Sequence, residues 1–370
     1  MCRSFRIVLT LLASLLIAGA SAQLPVRVLL GEAAQARVHM SGPHTGFTSS
    51  GVEFTASLDL EWPLAASGDT LLVDGKPVGN SLTLAPHAGV VSWENLEYRG
   101  ALTFVAQDSM LLVINHLDLE DYLRGVVPSE MQASWPDDAL RAQAVAARSY
   151  TLTSLRPDHD FDICATDSCQ VYRGTEVEHP GSDSAVAATR GLVLTHLGEF
   201  ARTYYHSDSG GVTASGAEVW GTDLAYLPTI TDVAVSSPHR GWTATLSQAL
   251  VTAAVRNAGR EVGTVSSMNV LAYSDSGRVA RLEVSGSTGS TVFDGPMATS
   301  FLRGLGLKST RLTFIGALSV RGDGWGHGVG MSQYGARSLA DSGYAYEQIL
   351  AFYYPGTRLS RLSFLSAPAP

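Results

Sequence analysis

The stretch GVVPSEMQASWPDDALRAQAVAARSY, residues 125–150, holds one acid that no local role explains. Asp137 and Asp138 sit where a helix begins, and acids there complement the helix dipole. Glu130 follows Pro128-Ser129 and precedes Met131, on a turn between two helical patterns. A carboxyl placed this way can project into a groove, where partial burial raises its pKa and keeps a proton on it near neutrality. A general acid for glycosidic cleavage needs that property.

Three further segments carry reactive or ligand-binding side chains. GDGWGHGVGMSQYGA (322–336) places five glycines at alternate positions from 322 to 330, which lets the backbone bend and approach something closely. Trp325, His327, Met331 and Gln333 stand out from that bare loop, and an aromatic face with polar neighbours suits a sugar ring; a tight turn around a core Trp is the structural alternative. The segment has no lysine and no G-x-x-x-x-G-K-[ST], so it is not a phosphate loop. YYHSDSGGVTASGAEVWG (204–221) offers His206 and Ser209 as substrate contacts, and the absence of a G-x-S-x-G elbow argues against a serine nucleophile. DHDFDICATDSCQVYRG (158–174) gathers His159, Cys164 and Cys169; the two cysteines are close enough in sequence for either a disulfide or a shared metal.

These segments need elements to hold them. From Val26 to about Asn115 short apolar or alternating runs, punctuated by Gly, Asp, Asn and Pro, predict strands at 26–30, 53–60, 69–75, 80–87, 99–107 and 109–117, with Asp74-Gly75 as a hairpin turn. A helix over 117–127 has Asp118 as N-cap and Gly125 as its stop. A second begins after Ser134 as cap, with Pro136 in its first turn and Leu140, Ala144, Ala147 and Thr151 at helical spacing. Residues 185–235 read as strand and loop, with a hairpin around Gly198; 246–259 reads as a helix closed by Gly259. Strands follow at 263–273, 278–285 and 311–320, then helices from about Ser332 and over 346–354.

The 45% apolar fraction is ample for a buried core. A formal charge of −9 argues against nucleic acid as a partner, since phosphate binding needs a basic face. Arg3 and Arg6 precede an apolar run from Ile7 to about Ile17, and Ala20-Ser21-Ala22 fits a cleavage site, so residues 1–22 read as a signal peptide and the remainder as exported to periplasm, wall or medium. No second apolar stretch is long enough to span a bilayer. The expected architecture is α+β: a β-rich region over 23–115, a mixed α/β domain with a glycan-binding groove over 116–360, and a tail at 361–370.

Six segments, LEDYLRGVVPSEM, ALRAQAVAARSY, CQVYRG, YYHSDSGGVT, GWGHGVGMSQYGA and ILAFYYPGT, resemble in order and spacing the stage II sporulation protein D family, which includes the amidase enhancer proteins. The resemblance covers roughly 115–360. It implies a lytic transglycosylase of peptidoglycan, cleaving between N-acetylmuramic acid and N-acetylglucosamine to leave 1,6-anhydro ends, with the motif glutamate at Glu130 as acid and base. It implies substrate contacts from Arg148, Tyr150, His206, Ser209, Trp325, His327 and Gln333. It also implies a structural zinc on His159, Cys164 and Cys169, although Ser168 stands where many relatives carry His; no cofactor is required for the chemistry. Glycan strands are the implied partner, with other wall hydrolases beside them, and a non-catalytic enhancer of a wall amidase is the rival reading. A zinc peptidase is disfavoured because H-E-x-x-H does not occur.

Overall fold

The computed structural model describes residues 24–233 and 237–362; the expected signal peptide and the last eight residues lie outside the described residues. The chain is mixed α and β, rich in strands. Strands between Pro25 and Asp118 build two sheets. In the larger, Pro25–Ala33 pairs antiparallel with Met110–Asp118, which pairs in turn with Ala101–Gln107. Leu102, Phe104, Leu111 and Val113 alternate inward and are fully buried, which is why a period of two reads so clearly here. The run expected as one strand over 53–60 divides into Glu53–Ala56 and Leu60–Ser67, which belong to different sheets.

Helix α1 (Leu119–Glu130) leaves the last strand directly. Asp118 caps it, one carboxylate oxygen accepting from the Glu120 N–H at 2.9 Å and the other from the Leu24 N–H at 3.0 Å. The helix does not stop at Gly125. A Cβ there would lie 2.5 Å from the Tyr172 ring and 2.9 Å from the Gly174 carbonyl, so the glycine serves close packing against 172–174. The helix continues through Pro128, whose missing N–H falls in the last turn, and the Ser129 hydroxyl donates to the Gly125 carbonyl at 2.7 Å. Glu130 is therefore the last helical residue rather than part of a free turn.

Helix α2 (Asp137–Leu152) is enclosed along nearly its whole length, and its alanines let neighbours approach closely. Its N-cap is Pro136 without a side-chain bond, not Ser134. Asp138 accepts from the Tyr346 N–H at 3.1 Å and so fixes the start of a later helix. Arg148, expected to touch substrate, is fully buried instead: it forms a forked pair with Glu120 at 2.9 and 2.8 Å and donates to the Leu192 carbonyl at 3.0 Å. Glu120 thus clamps α1 to α2. Helix α3 (Pro180–Ala188) begins before the 185–235 stretch expected as strand and loop and runs into it, and α4 (Gly216–Trp220) lies within that stretch.

A second buried cluster, separate from the one joining the sheets to α1 and α2, spans 246–320. It comprises α5 (Gln248–Asn257), α6 (Pro296–Gly304), a meander of Val265–Tyr273, Val279–Gly286 and Gly289–Asp294, and a small sheet formed by Trp242–Thr245, Leu312–Phe314 and Ser319–Gly322. The run 311–320 is a hairpin rather than one strand. The chain then returns to the first core through α7 (Gln333–Asp341) and α8 (Tyr346–Tyr353), and Arg358–Arg361 pairs with Leu192–Thr195.

Removing one partner of a buried ion pair leaves the other charge unsolvated. Arg148→Ala is expected to cost about 3–5 kcal/mol in denaturant unfolding. Arg148→Met with Glu120→Leu should cost clearly less than the single change, which separates loss of the charge from loss of packing.

Candidate active site

Two loops are joined to make the site. Tyr205-His206 pairs parallel with Met331-Ser332, and bridges link Asp208 to Trp325 and Ala214 to Val329. The close approach that the glycines permit is therefore to the 204–214 loop. At Gly326 (φ 108°) a Cβ would lie 2.8 Å from the His206 Cβ, and at Gly330 (φ 71°) only 2.0 Å from the Tyr204 carbonyl oxygen. Met331 does not stand out from the loop; it is buried in the core.

Glu130 reaches this junction from the end of α1. The Val171 N–H donates to its Oε1 at 2.9 Å, Gln333 Nε2 donates to its Oε2 at 3.1 Å, and the Tyr205 hydroxyl is a third donor. Burial drives the Glu130 pKa above the ordinary carboxyl value; these three donors pull it back in part, and the charge of Asp167 pushes it up. The net direction is upward, so the protonated form persists to higher pH than in an exposed glutamate. Gln333, the first residue of α7, is positioned by the Ser332 cap and touches the carboxyl itself.

Tyr205 is the residue that sequence reading missed. Its hydroxyl accepts from Gln170 Nε2 at 2.8 Å and lies close enough to Glu130 to lower that carboxyl's pKa. Gln170 is oriented by the Thr151 hydroxyl at 2.8 Å, so α2 sets the Tyr205–Glu130 contact from behind. The neighbouring Val171 N–H belongs to the same CQVYRG segment, which explains the value of that motif beside a carboxyl.

Glu130 lines two hollows. The larger, about 600 Å³, is also bounded by Tyr150, His206, Trp220, Trp325 and His327. The smaller, about 260 Å³, lies toward Trp135, His239 and Tyr334, and Glu130, Ser207, Trp325 and Gln333 border both. Trp325 and Trp220 line the larger hollow and are 47% and 40% exposed, so each offers indole surface to that space. Asp167, an exposed acid absent from the expected site, lines the larger hollow with Glu130.

His206 and His327 pack with ring centroids 5.4 Å apart. The Val329 peptide fixes both: its carbonyl accepts from His206 Nδ1 at 3.1 Å and its N–H donates to His327 Nδ1 at 3.0 Å. Burial, then the nearby Arg278 charge, lowers His206 to about 3. Burial also holds His327 well below its usual value. Both rings are neutral near pH 7, and His206 Nε2 is a buried acceptor without a protein partner. Ser209 does not reach the cavity. It is fully buried, donating to Asp232 at 2.5 Å, and Asp232 also accepts from the Tyr353 hydroxyl at 2.5 Å.

The cysteine segment forms part of the wall. Ile163-Cys164 pairs parallel with Val28-Leu29, and Arg27 holds Asp162 in place at 2.8 Å. Cys164 and Cys169 are joined as a disulfide, with Cα atoms 5.5 Å apart. This corrects the zinc set: the bonded sulfurs are not thiolates, His159 is exposed, and among the described residues no group of three or more His, Cys, Asp or Glu is arranged to hold a metal.

The fold sets a helix-ending acid, Glu130, against a glycine-rich loop, and the chain can be compared with known proteins on that basis. A stage II sporulation protein model matches residues 107–196, and a model for a domain of unknown function matches 236–330. The Bacillus subtilis amidase enhancer is 33% identical over 353 positions, covering 80% of this chain and 49% of that protein; the chain thus spans about half of this relative. The Bacillus amyloliquefaciens stage II sporulation protein D is 29% identical over 279 positions, covering 68% and 77%. An uncharacterised protein of Brachyspira hyodysenteriae is 31% identical over 265 positions, covering 70% and 72%. The chain belongs to the family of stage II sporulation protein D and the amidase enhancers. Among the described residues no helix is long and apolar enough to cross a membrane.

Two outcomes follow from this geometry. The mature protein should show no free thiol before reduction and bind no zinc while oxidised, and replacing both cysteines by serine should cost about 2 kcal/mol, read by thiol titration, metal analysis and denaturant unfolding. For Glu130, folding raises the pKa, so between the unfolded and folded values the native state binds more protons and stability falls as pH rises. Glu130→Gln should therefore melt above the wild type at pH values beyond the raised pKa, with the gap closing in acid; a gap that widens in acid would contradict the burial argument.

Proposed function

We propose that this protein is an exported lytic transglycosylase of peptidoglycan, acting in cell-wall remodelling, with Glu130 as both acid and base. The observation that carries the reading is a half-buried carboxyl of raised pKa lying where two hollows meet, beside exposed indoles. A polymer can pass over such a residue with sugars on either side. Protonated Glu130 gives its proton to the glycosidic oxygen as the C1–O bond breaks. The resulting carboxylate is stabilised by the Val171 N–H, Gln333 and Tyr205, then takes the proton of the muramyl 6-hydroxyl as that oxygen bonds to C1. The acid is regenerated, a 1,6-anhydro ring closes and no water is consumed.

Asp167 gives a hydrolytic variant a physical basis, because a second carboxylate in the cavity wall could activate water. It is exposed, however, and holds no fixed geometry toward Glu130 comparable to that of Gln333 or Tyr205. The second functional reading is a glycan-binding enhancer of a separate wall amidase. It is favoured by the name of the Bacillus subtilis relative, and it leaves the raised pKa of Glu130 without a task.

The mature protein should release anhydro-muramyl products from glycan strands, and Glu130→Gln should reduce release at least about 100-fold while remaining folded. Mass spectrometry separates the cases. Products carrying reducing ends would mean hydrolysis, and binding without any product from the wild type would leave the enhancer reading standing.

A further inference from the structure

Part of the wall of the larger hollow that Glu130 lines comes from the second core. Arg303 from the last turn of α6, and Gly306, Leu307 and Lys308 from the loop after it, border the same space. The loop is well anchored. Leu305, Leu307, Ser309 and Thr310 are buried, and the Gly326 N–H donates to the Lys308 carbonyl at 2.8 Å, which ties the loop to the glycine-rich segment. Arg303 and Lys308 themselves are exposed.

Their charges are not spent within the protein. Among the described residues neither cation forms an ion pair with an acid. The Lys308 ammonium lies 4.9 Å from the centroid of the Trp325 ring, the same indole that borders Glu130. Lys308 is one of only two lysines in a chain whose net charge is −9. The cavity is therefore polarised, with Glu130 and Asp167 contributed by the first core and two unpaired cations by the second. A neutral sugar needs hydroxyl partners, whereas two cations lining one cavity suit a carboxylate.

We propose that Arg303 and Lys308 form an anion subsite through which the second core reads a carboxylate carried by the bound glycan. This rests on the glycan reading above and adds what the domain of residues 236–330 does in it. Two sources share the chemistry: the lactyl carboxylate of a muramyl residue without a stem peptide, and the carboxylates of the stem peptide itself.

The test measures binding, so it does not depend on turnover. The mature Glu130→Gln chain is titrated by calorimetry with stripped glycan, with peptide-bearing glycan and with neutral chitin oligomers of equal length. Adding Arg303→Ala and Lys308→Ala together should weaken binding of a carboxylate-bearing glycan about tenfold, flatten its salt dependence, and change chitin binding less than about twofold. Loss on stripped glycan assigns the lactyl carboxylate; loss confined to peptide-bearing glycan assigns the stem. Equal loss on chitin, or no loss on any ligand, overturns the proposal, and an unchanged melting temperature shows that the variant is folded. If the wild type makes no anhydro product while the carboxylate-dependent binding persists, the enzymatic reading fails and the subsite stands.

Discussion

A carboxyl group stays partly withdrawn from water only where its backbone is fixed, and here the fixing interaction is the forked ion pair between Glu120 and Arg148. It lies inside the α1–α2 contact, at the opposite end of α1 from Glu130. With Asp118 capping the start of α1 and Gly125 allowing 172–174 to press against its middle, the helix has no freedom to slide or rotate. The last residue of a helix held this way points in one direction. That direction faces the seam between the 204–214 and 322–332 loops.

The seam obeys a second constraint, the exclusion of side chains. Gly326 and Gly330 lie within van der Waals reach of the opposing backbone, so the two loops join as short parallel strands rather than through interleaved side chains. Joining them sets Gln333, at the start of α7, and Tyr205 on the same carboxyl. Each donor arrives from a different part of the chain: Val171 from the disulfide-bearing segment, Tyr205 through Gln170 and α2, Gln333 through the Ser332 cap. Burial opposes these donors, and the net effect holds the Glu130 pKa above the ordinary carboxyl value.

The second core changes how the cavity is understood. Its buried cluster is separate from the first, but it contributes to the wall of the cavity that Glu130 lines and adds cations to a lining that already holds acids. Arg278, buried at the junction, donates to the Ser209 and Val212 carbonyls and lies beside Gly328, so the two cores are bolted together next to the glycine-rich loop. The cavity is thus a property of both cores.

Much of the local structure was legible in the sequence because its causes are local. Alternating apolar residues gave the 99–107 and 109–117 strands, Asp74-Gly75 a hairpin turn, Ser332 a helix start, and Glu130 its standing as an acid without a structural task. Helices α3, α4 and α6 were not legible, since short segments draw their stability from neighbours rather than from periodicity. Arg148 and Ser209 sit in motifs that read as substrate contacts, yet burial turned each inward to an acid, Glu120 or Asp232. Which residues meet at Glu130 was decided by tertiary structure alone, because Tyr205, Gln333 and Asp167 come from separate segments and sequence distance carries no record of their convergence. The sequence by itself determined the residue types and the capacity of the backbone to bend; the packing of two cores determined which of those residues share a cavity, because desolvation and hydrogen bonding act only between groups already brought within contact.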